Sequence, residues 1–436
     1  MHREIGIGLD FGTTNSSIAI AAPDGSCSLA SFADGERGTT TFRSVLHFIA
    51  DEEDRRRPLT VVAGPRAIAS YLESSASGRF IQSLKSHLAS RLFEETFIFG
   101  WKYTLIDLIA IILAELRSAA REQFGDIGGA VCLGRPAHFV IGADAATDEA
   151  LDELALGRLR QAAEKAGFTE VRFEFEPVAA AYEYERQLDH DELVLIGDFG
   201  GGTSDFCLIE LGPSWRGRNA GPRHILGVDG VPVAGGRFDG KLVRSLVAPR
   251  LGLGSLRRSE LGKSLPVPAW LYGKLERWED LSFLKSPATM ETLKQIRFQA
   301  AEPRRIESLI RLVDDDLGYA LYRAIERTKL ELSDVETSRF VFKGLPLLIQ
   351  QDATRAGFEA MIAPELAALG DCVDRLLAQS GVGPAQVDRV FLTGGSSLTP
   401  CVRALFAHRF GVEKLRGGEE LTTVARGLAL TALAAD

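Results

Sequence analysis

The chain has 436 residues, 45% of them hydrophobic and 25% charged, enough for two or more domains of ordinary size, each with its own core. A formal net charge of −9 argues against a general nucleic-acid-binding surface, so no nucleic acid is expected as a partner. Cys27, Cys132, Cys207, Cys372 and Cys401 form no C-x-x-C pair and the seven histidines no H-E-x-x-H, which leaves no disulfide framework or zinc motif and suits a reducing cytoplasm.

The opening MHREIGIGLD enters a strand-like run at once, without the apolar core of a secretory signal. Ile5 to Ala21, IGIGLDFGTTNSSIAIA, reads as strand, Gly/Thr turn and strand, a hairpin. SVLHFIA adds a strand, and SGRFIQSLKSHLASRLF and LIDLIAIILAELRSAAREQF both carry apolar residues at helical spacing. The apolar stretch from Leu105 to Leu116 holds Asp107 and is shorter than the roughly 20 apolar residues of a spanning helix. It reads as a core helix, so a cytoplasmic protein with no membrane span is expected.

GGAVCLGRP is a buried strand ending at Pro136, and helical spacing from Glu149 to Ala166 stops at Gly167, a usual helix terminator. EVRFEFEPVAAAYEYERQL gives a short strand and then a helix opening at Pro177, a favoured first-turn position for proline. Val194 to Leu211, VLIGDFGGGTSDFCLIEL, repeats the layout of the first hairpin with three successive glycines in its turn. The architecture therefore reads as duplicated, one hairpin opening each half, with Cys207 as a buried small hydrophobe.

GGRFDGKLVRSLV continues the second half, and LGLGSLRRSELGKSLPVPAW, rich in Gly, Pro and basic residues, reads as loop or subdomain connection. From Ala269 to Glu331 the pattern is largely helical. DRVFLTGGSSLTPCVRALFAHRFG is a buried strand, a Gly-Gly turn and a helix beginning near Pro400; the small-residue helix VARGLALTALAAD follows.

A glycine turn exposes backbone N–H groups that can cradle phosphate oxygens, and Thr13, Thr14 and Thr203 add hydroxyl donors. Asp10 and Asp198 end the first strands of the two hairpins, where their carboxylates could hold the waters of a Mg²⁺ ion. Either turn alone is equally an ordinary hairpin turn; two alike, one with three glycines, point to phosphate. Two rival motifs fail. Gly262-Lys263-Ser264 has Arg257 where a P-loop needs its first glycine, and GIGLDFG has Phe11 where the dinucleotide fingerprint needs its third.

IGLDFGTTNSSIAI, LIGDFGGGTSDFCLIEL and RVFLTGGSSLTP resemble, in order, the phosphate-1, phosphate-2 and adenosine motifs of the actin, sugar-kinase and heat-shock ATPase superfamily. FEPVAAAYEYE, IERTKLELS and FIQSLKSHL resemble segments of the DnaK-like 70-kDa heat-shock proteins. The resemblance covers nearly the whole chain, is weakest from Arg244 to Arg304, and is closest to the short YegD-like members that lack the substrate-binding domain. It implies an α/β, two-lobed actin-like ATPase fold with a nucleotide cleft between the lobes. Lobe I would span 1–190, lobe II 191–400, and the C-terminal helices 401–436 would close on lobe I.

By the same resemblance, Gly12, Thr13, Thr14 and Asn15, with Gly200, Gly201, Gly202 and Thr203, would hold the phosphates of ATP or ADP, and Asp10 and Asp198 would position Mg²⁺. Lys85, Glu176, Asp198 and Thr203 would form the catalytic set: Lys85 orienting the attacking water, Glu176 near water and metal, Thr203 facing the terminal phosphate with Asp205 behind it. Glu176 is equally suited to a helix N-terminus by charge alone. Glu326, Lys329 and Ser333 lie on one helix face, which in the family meets ribose and adenine. Gly394, Gly395 and Ser396 would admit the adenosine, with Leu398 where the family has a stacking arginine.

GTTTFRSVLHF lacks the family's Thr-Pro-Ser, and no linker, β-sandwich or helical lid follows, so client-peptide binding is not part of the expectation. What is expected is slow hydrolysis of ATP to ADP and phosphate, in a chaperone-like switch read by a protein partner or co-chaperone. A sugar or acid kinase would instead consume ATP only with its acceptor, and an actin-like scaffold would assemble with nucleotide.

Overall fold

The computed structural model describes residues 5–434 apart from 35–36, 52, 55–56, 74–77, 141–144, 216–223, 260–261, 278–279, 345–346 and 418–421. Residues 1–4, at the head of the N-terminal run, lie outside the described residues. The chain divides into two compact units: Met1–Pro232 with Ala368–Ser397 and Val402–Asp436, and Val233–Ala367 with Leu398–Cys401.

Two sheets with one plan organise the first unit. Gly6–Phe11 pairs antiparallel with Asn15–Ala21 and parallel with Ala130–Arg135, which pairs parallel with Glu170–Phe175. Glu192–Phe199 likewise pairs antiparallel with Ser204–Leu211 and parallel with Arg389–Thr393, itself parallel to Leu415–Gly417. Each sheet is completed beyond its hairpin by an antiparallel strand, Cys27–Leu29 in one and Ile225–Val231 in the other. Both hairpins and their duplicated setting are thus as the sequence led one to expect. Ser204–Leu211 is buried except at Glu210, Cys207 included, which accounts for its almost unbroken apolar reading.

Helices pack on these sheets where glycine and alanine let backbones close up. Glu176–Glu185 starts with Pro177 in its first turn, and Thr423–Ala434 lies against it. A Cβ on Gly427 would stand 1.7 Å from the Ala179 carbonyl oxygen, and one on Gly8 would stand 2.1 Å from the Ala429 nitrogen. Only glycine permits that closeness. Leu105–Phe124 opens with a Thr104/Asp107 capping box and buries Leu108, Ile109, Ile112, Leu113 and Leu116, a core helix as expected. Among the described residues no helix is long and apolar enough to cross a membrane.

One segment departs from its reading. SGRFIQSLKSHLASRLF has helical spacing, but Gly78–Gln82 is a strand paired antiparallel with Val45–Ile49, followed by a single 3₁₀ turn, Leu84–His87. Val45–Ile49 had an open edge, and pairing with it satisfies the backbone better than an isolated short helix would. Ser83, at φ 56°, turns the chain between the two.

In the second unit a short hairpin, Leu256–Arg258 with Ser264–Pro266, occupies the Gly/Pro-rich stretch, so Lys263 sits in a hairpin and not at the head of a helix. Helices Trp270–Leu275, Pro287–Gln299, Pro303–Asp314 and Gly318–Asp334 follow. The antiparallel pair Thr337–Gly344 and Leu347–Thr354 has strict alternation of buried and exposed residues on its first strand, the mark of a half-covered sheet.

Candidate active site

The ends of the central strands carry the acidic residues. Asp10 is the last residue but one of Gly6–Phe11, and Asp198 holds the same place in Glu192–Phe199. Lys85 arrives on the 3₁₀ turn that Ser83 starts, and Glu176 on the first turn of its helix. Lys85 Nζ lies 2.5 Å from Glu176 Oε1, with both side chains buried. Gly134 backs this pair: a Cβ there would lie 3.0 Å from Glu176 Cγ. Asp205, paired across the second hairpin with Asp198, accepts the Ala137 amide at 2.6 Å and the Thr203 hydroxyl at 2.7 Å.

These groups form one electrostatic system. Burial, then the charge of Glu176, pushes Asp10 up to about 7 against the pull of Lys85. Burial and Glu176 also push Asp205 up to about 7, opposed by its bonds to Thr203 and Ala137. Asp198 is driven well above the carboxylate range by burial and by Glu176, Asp10 and Asp205. For Lys85, burial works against the ammonium, but Glu176, Asp10 and Asp205 together outweigh it and hold the group above its ordinary value. Among the described residues, Asp10, Glu176, Asp198 and Asp205 gather round the Lys85 ammonium, with the Arg135 guanidinium interacting with Glu176 and Asp205, an arrangement still short of positive charge that a divalent, oxygen-seeking cation would relieve.

Among the described residues no three His, Cys, Asp or Glu side chains gather to hold a metal by themselves. A cation here must complete its shell from water and from the ligand, which is how Mg²⁺ is held beside nucleotide phosphates. The residues present fit that ion.

The loops close the site. Gly12 donates to Ser16 Oγ at 3.3 Å, its carbonyl accepts Ser44 Oγ at 2.8 Å, and Ser16 and Ser44 share a hydrogen bond of 2.8 Å. A Cβ on Gly201 would lie 2.5 Å from Thr14 Oγ1 and one on Gly202 3.2 Å from Thr13 Oγ1, so the two glycine turns face each other. Asn15 Oδ1 accepts Arg43 Nη1 at 3.2 Å. Gly394, at φ 83°, presses against the Phe199 carbonyl at the end of the second hairpin, while the space over Gly395 is open. Ser397 donates to Gly394 O and fixes that turn; Ser396 is buried within it. Asp10, Lys85, Glu176, Asp198, Thr203, Asp205 and all three glycine turns therefore belong to the first unit.

Glu326, Lys329, Ser333 and Leu398 belong to the second unit. Lys329 Nζ is engaged 2.7 Å from Asp239 Oδ1, Glu326 lies 3.5 Å from Arg323, and Ser333 Oγ donates to Lys329 O at 3.4 Å. Leu398 is 58% exposed, a large apolar side chain facing solvent. Three participants escaped the sequence reading: Ser44, which braces the first glycine turn, Ala137, which holds Asp205 through its backbone, and Asp239, the partner of Lys329. Only Ala137 had a signal, its place just past a buried parallel strand, where α/β proteins put their chemistry.

A family model described as Hsp70 protein matches residues 6–247 and 302–434. Its unmatched interval falls within the stretch from Arg244 to Arg304 where the motif resemblance is weakest. The chain is also 26% identical over 438 aligned residues to the chaperone protein DnaK of Thermus thermophilus, covering 98% of this chain and 60% of that protein.

Proposed function

Because this chain belongs to the Hsp70 protein family, and so has the two-lobed actin-like ATPase fold, we propose that it binds ATP with Mg²⁺ and slowly hydrolyses it to ADP and phosphate. The observation that carries the reading is the buried Lys85–Glu176 pair set among Asp10, Asp198 and Asp205. In this reading the facing turns Gly12–Asn15 and Gly200–Thr203 cradle the phosphates through backbone amides. Asp10 and Asp198 hold the metal's waters; the ion, when bound, neutralises charge on the phosphates and on the leaving oxygen.

Lys85 and Glu176, each held by the other, present a donor and an acceptor to one water and line it up with the terminal phosphorus. Thr203 presents its oxygen in a direction that Asp205 sets. The work is positioning and electrostatics, with little covalent chemistry for the protein to do. Glu326, Lys329, Ser333, Gly394, Gly395, Ser396 and Leu398 are proposed for the nucleoside on resemblance, with the Lys329 ammonium acting through its pair with Asp239. The output proposed is a nucleotide-dependent switch that a protein partner reads.

The test is single-turnover phosphate release by the wild type and by the double variant Lys85→Met/Glu176→Gln, which leaves neither charge alone in the interior. The variant should still bind ATP and release phosphate about 100-fold more slowly. Equal rates for the two proteins would remove the pair from the chemistry.

A further inference from the structure

Arg135 is the last residue of the buried strand Ala130–Arg135, a charged side chain at a position the hydrolytic reading does not use. Its guanidinium turns back on its own chain: Nε donates to Pro136 O at 3.1 Å and Nη2 to Ala137 O at 3.2 Å. The guanidinium lies over the Phe175 ring, 4.8 Å from its centroid, and 3.7 Å from Asp152 Oδ2. The guanidinium thus holds two places at once, bonding the Pro136–Ala137 backbone and stacking on the Phe175 side chain. The first carries the Ala137 amide that holds Asp205, which in turn holds Thr203. The second is Phe175, the residue immediately before Glu176.

We propose that Arg135 is a positioning residue for ATP hydrolysis: by latching the Pro136–Ala137 corner it fixes the Ala137 amide on Asp205 and, through Asp205, the direction of the Thr203 hydroxyl. The proposal rests on the hydrolytic reading of this site. Arginine suits the role because one planar fork can bond two carbonyls while its face stacks on a ring. Lysine has a point charge and no plane, so it cannot do both. Arg135 need not touch the nucleotide; its effect should fall on the chemical step and not on binding.

The experiment uses the full chain with ATP and Mg²⁺, comparing wild type, Arg135→Gln, Arg135→Lys, Asp205→Asn and the double variant Arg135→Gln/Asp205→Asn. Calorimetry should give ATP affinities for both single Arg135 variants within about threefold of wild type, while single-turnover phosphate release slows roughly tenfold, as expected of a small misplacement. Arg135→Lys, which keeps stem and charge and guards against a variant that fails to fold, should be slowed nearly as much. In the Asp205→Asn background the Arg135→Gln effect should shrink to less than about twofold, because residues acting in one chain are not additive. A merely structural role would give the same slowing in both backgrounds, and that result overturns the proposal. So does wild-type release by both single variants. A wild type that binds ATP but releases no phosphate defeats the hydrolytic reading itself, and this inference with it.

Discussion

Lys85 and Glu176 stand 91 residues apart in the chain and 2.5 Å apart in the fold. Taking two ions out of water is repaid only while each has the other. Without nucleotide or metal, Lys85→Met should therefore lower stability by about 3–5 kcal/mol, because Glu176 loses its direct ion-pair partner beside Asp10, Asp198 and Asp205. Adding Glu176→Gln should restore more than half of that loss. Denaturant unfolding of the two single variants and the double measures it, and losses that simply add would mean the pair is not a unit. The place of Asp10 and Asp198 at the strand ends was legible in the sequence, since a carboxylate that ends an apolar run before a glycine turn is a local pattern. The burial of Lys85 was not, because it sits in a run whose spacing looks like that of a solvated helix; resemblance alone singled it out. The partner of Lys329 was hidden for a related reason: Asp239 lies on a different helix, and nothing within either segment announces the contact.

Helix Thr423–Ala434 and helix Glu176–Glu185 are set against each other by a glycine. Gly427→Ala would drive a methyl to within 1.7 Å of the Ala179 carbonyl, and should cost about 3 kcal/mol or more while shifting the helix that begins at Glu176. Gly157, inside helix Ala145–Lys165, has nothing within 4 Å of an added Cβ, so Gly157→Ala should be neutral or stabilise by up to about 1 kcal/mol. Thermal melts of the two variants separate close approach from helix propensity; equal shifts would contradict the packing described. Elements set by local chemistry were readable: both hairpins by their glycine turns, the end of helix Ala145–Lys165 by Gly167, the start of the next helix by Pro177. Strand Gly78–Gln82 was not, because its identity comes from the edge of Val45–Ile49, far back in the chain, and its apolar residues happen to match a helical period.

Duplication is the most general feature the sequence disclosed. Two hairpins with the same order of apolar run, aspartate, glycine turn and apolar run become two sheets of one plan, and their turns meet face to face. The family model leaves residues 248–301 unmatched, the same part where the motifs fade and where the sequence reads as a Gly/Pro-rich connection running into a largely helical stretch. The chain spans 60% of the DnaK it aligns with. The claim that unites hairpins, aspartates and family is Mg²⁺-dependent binding of ATP, and titration calorimetry on wild type and Asp198→Asn tests it most directly. Asp198 is buried and held toward its neutral form, so the asparagine variant should fold at least as well as wild type while binding ATP·Mg²⁺ at least about tenfold more weakly. Wild type should bind ATP with Mg²⁺ and much less tightly without it; no heat of binding, or binding indifferent to both Mg²⁺ and Asp198→Asn, would contradict the assignment.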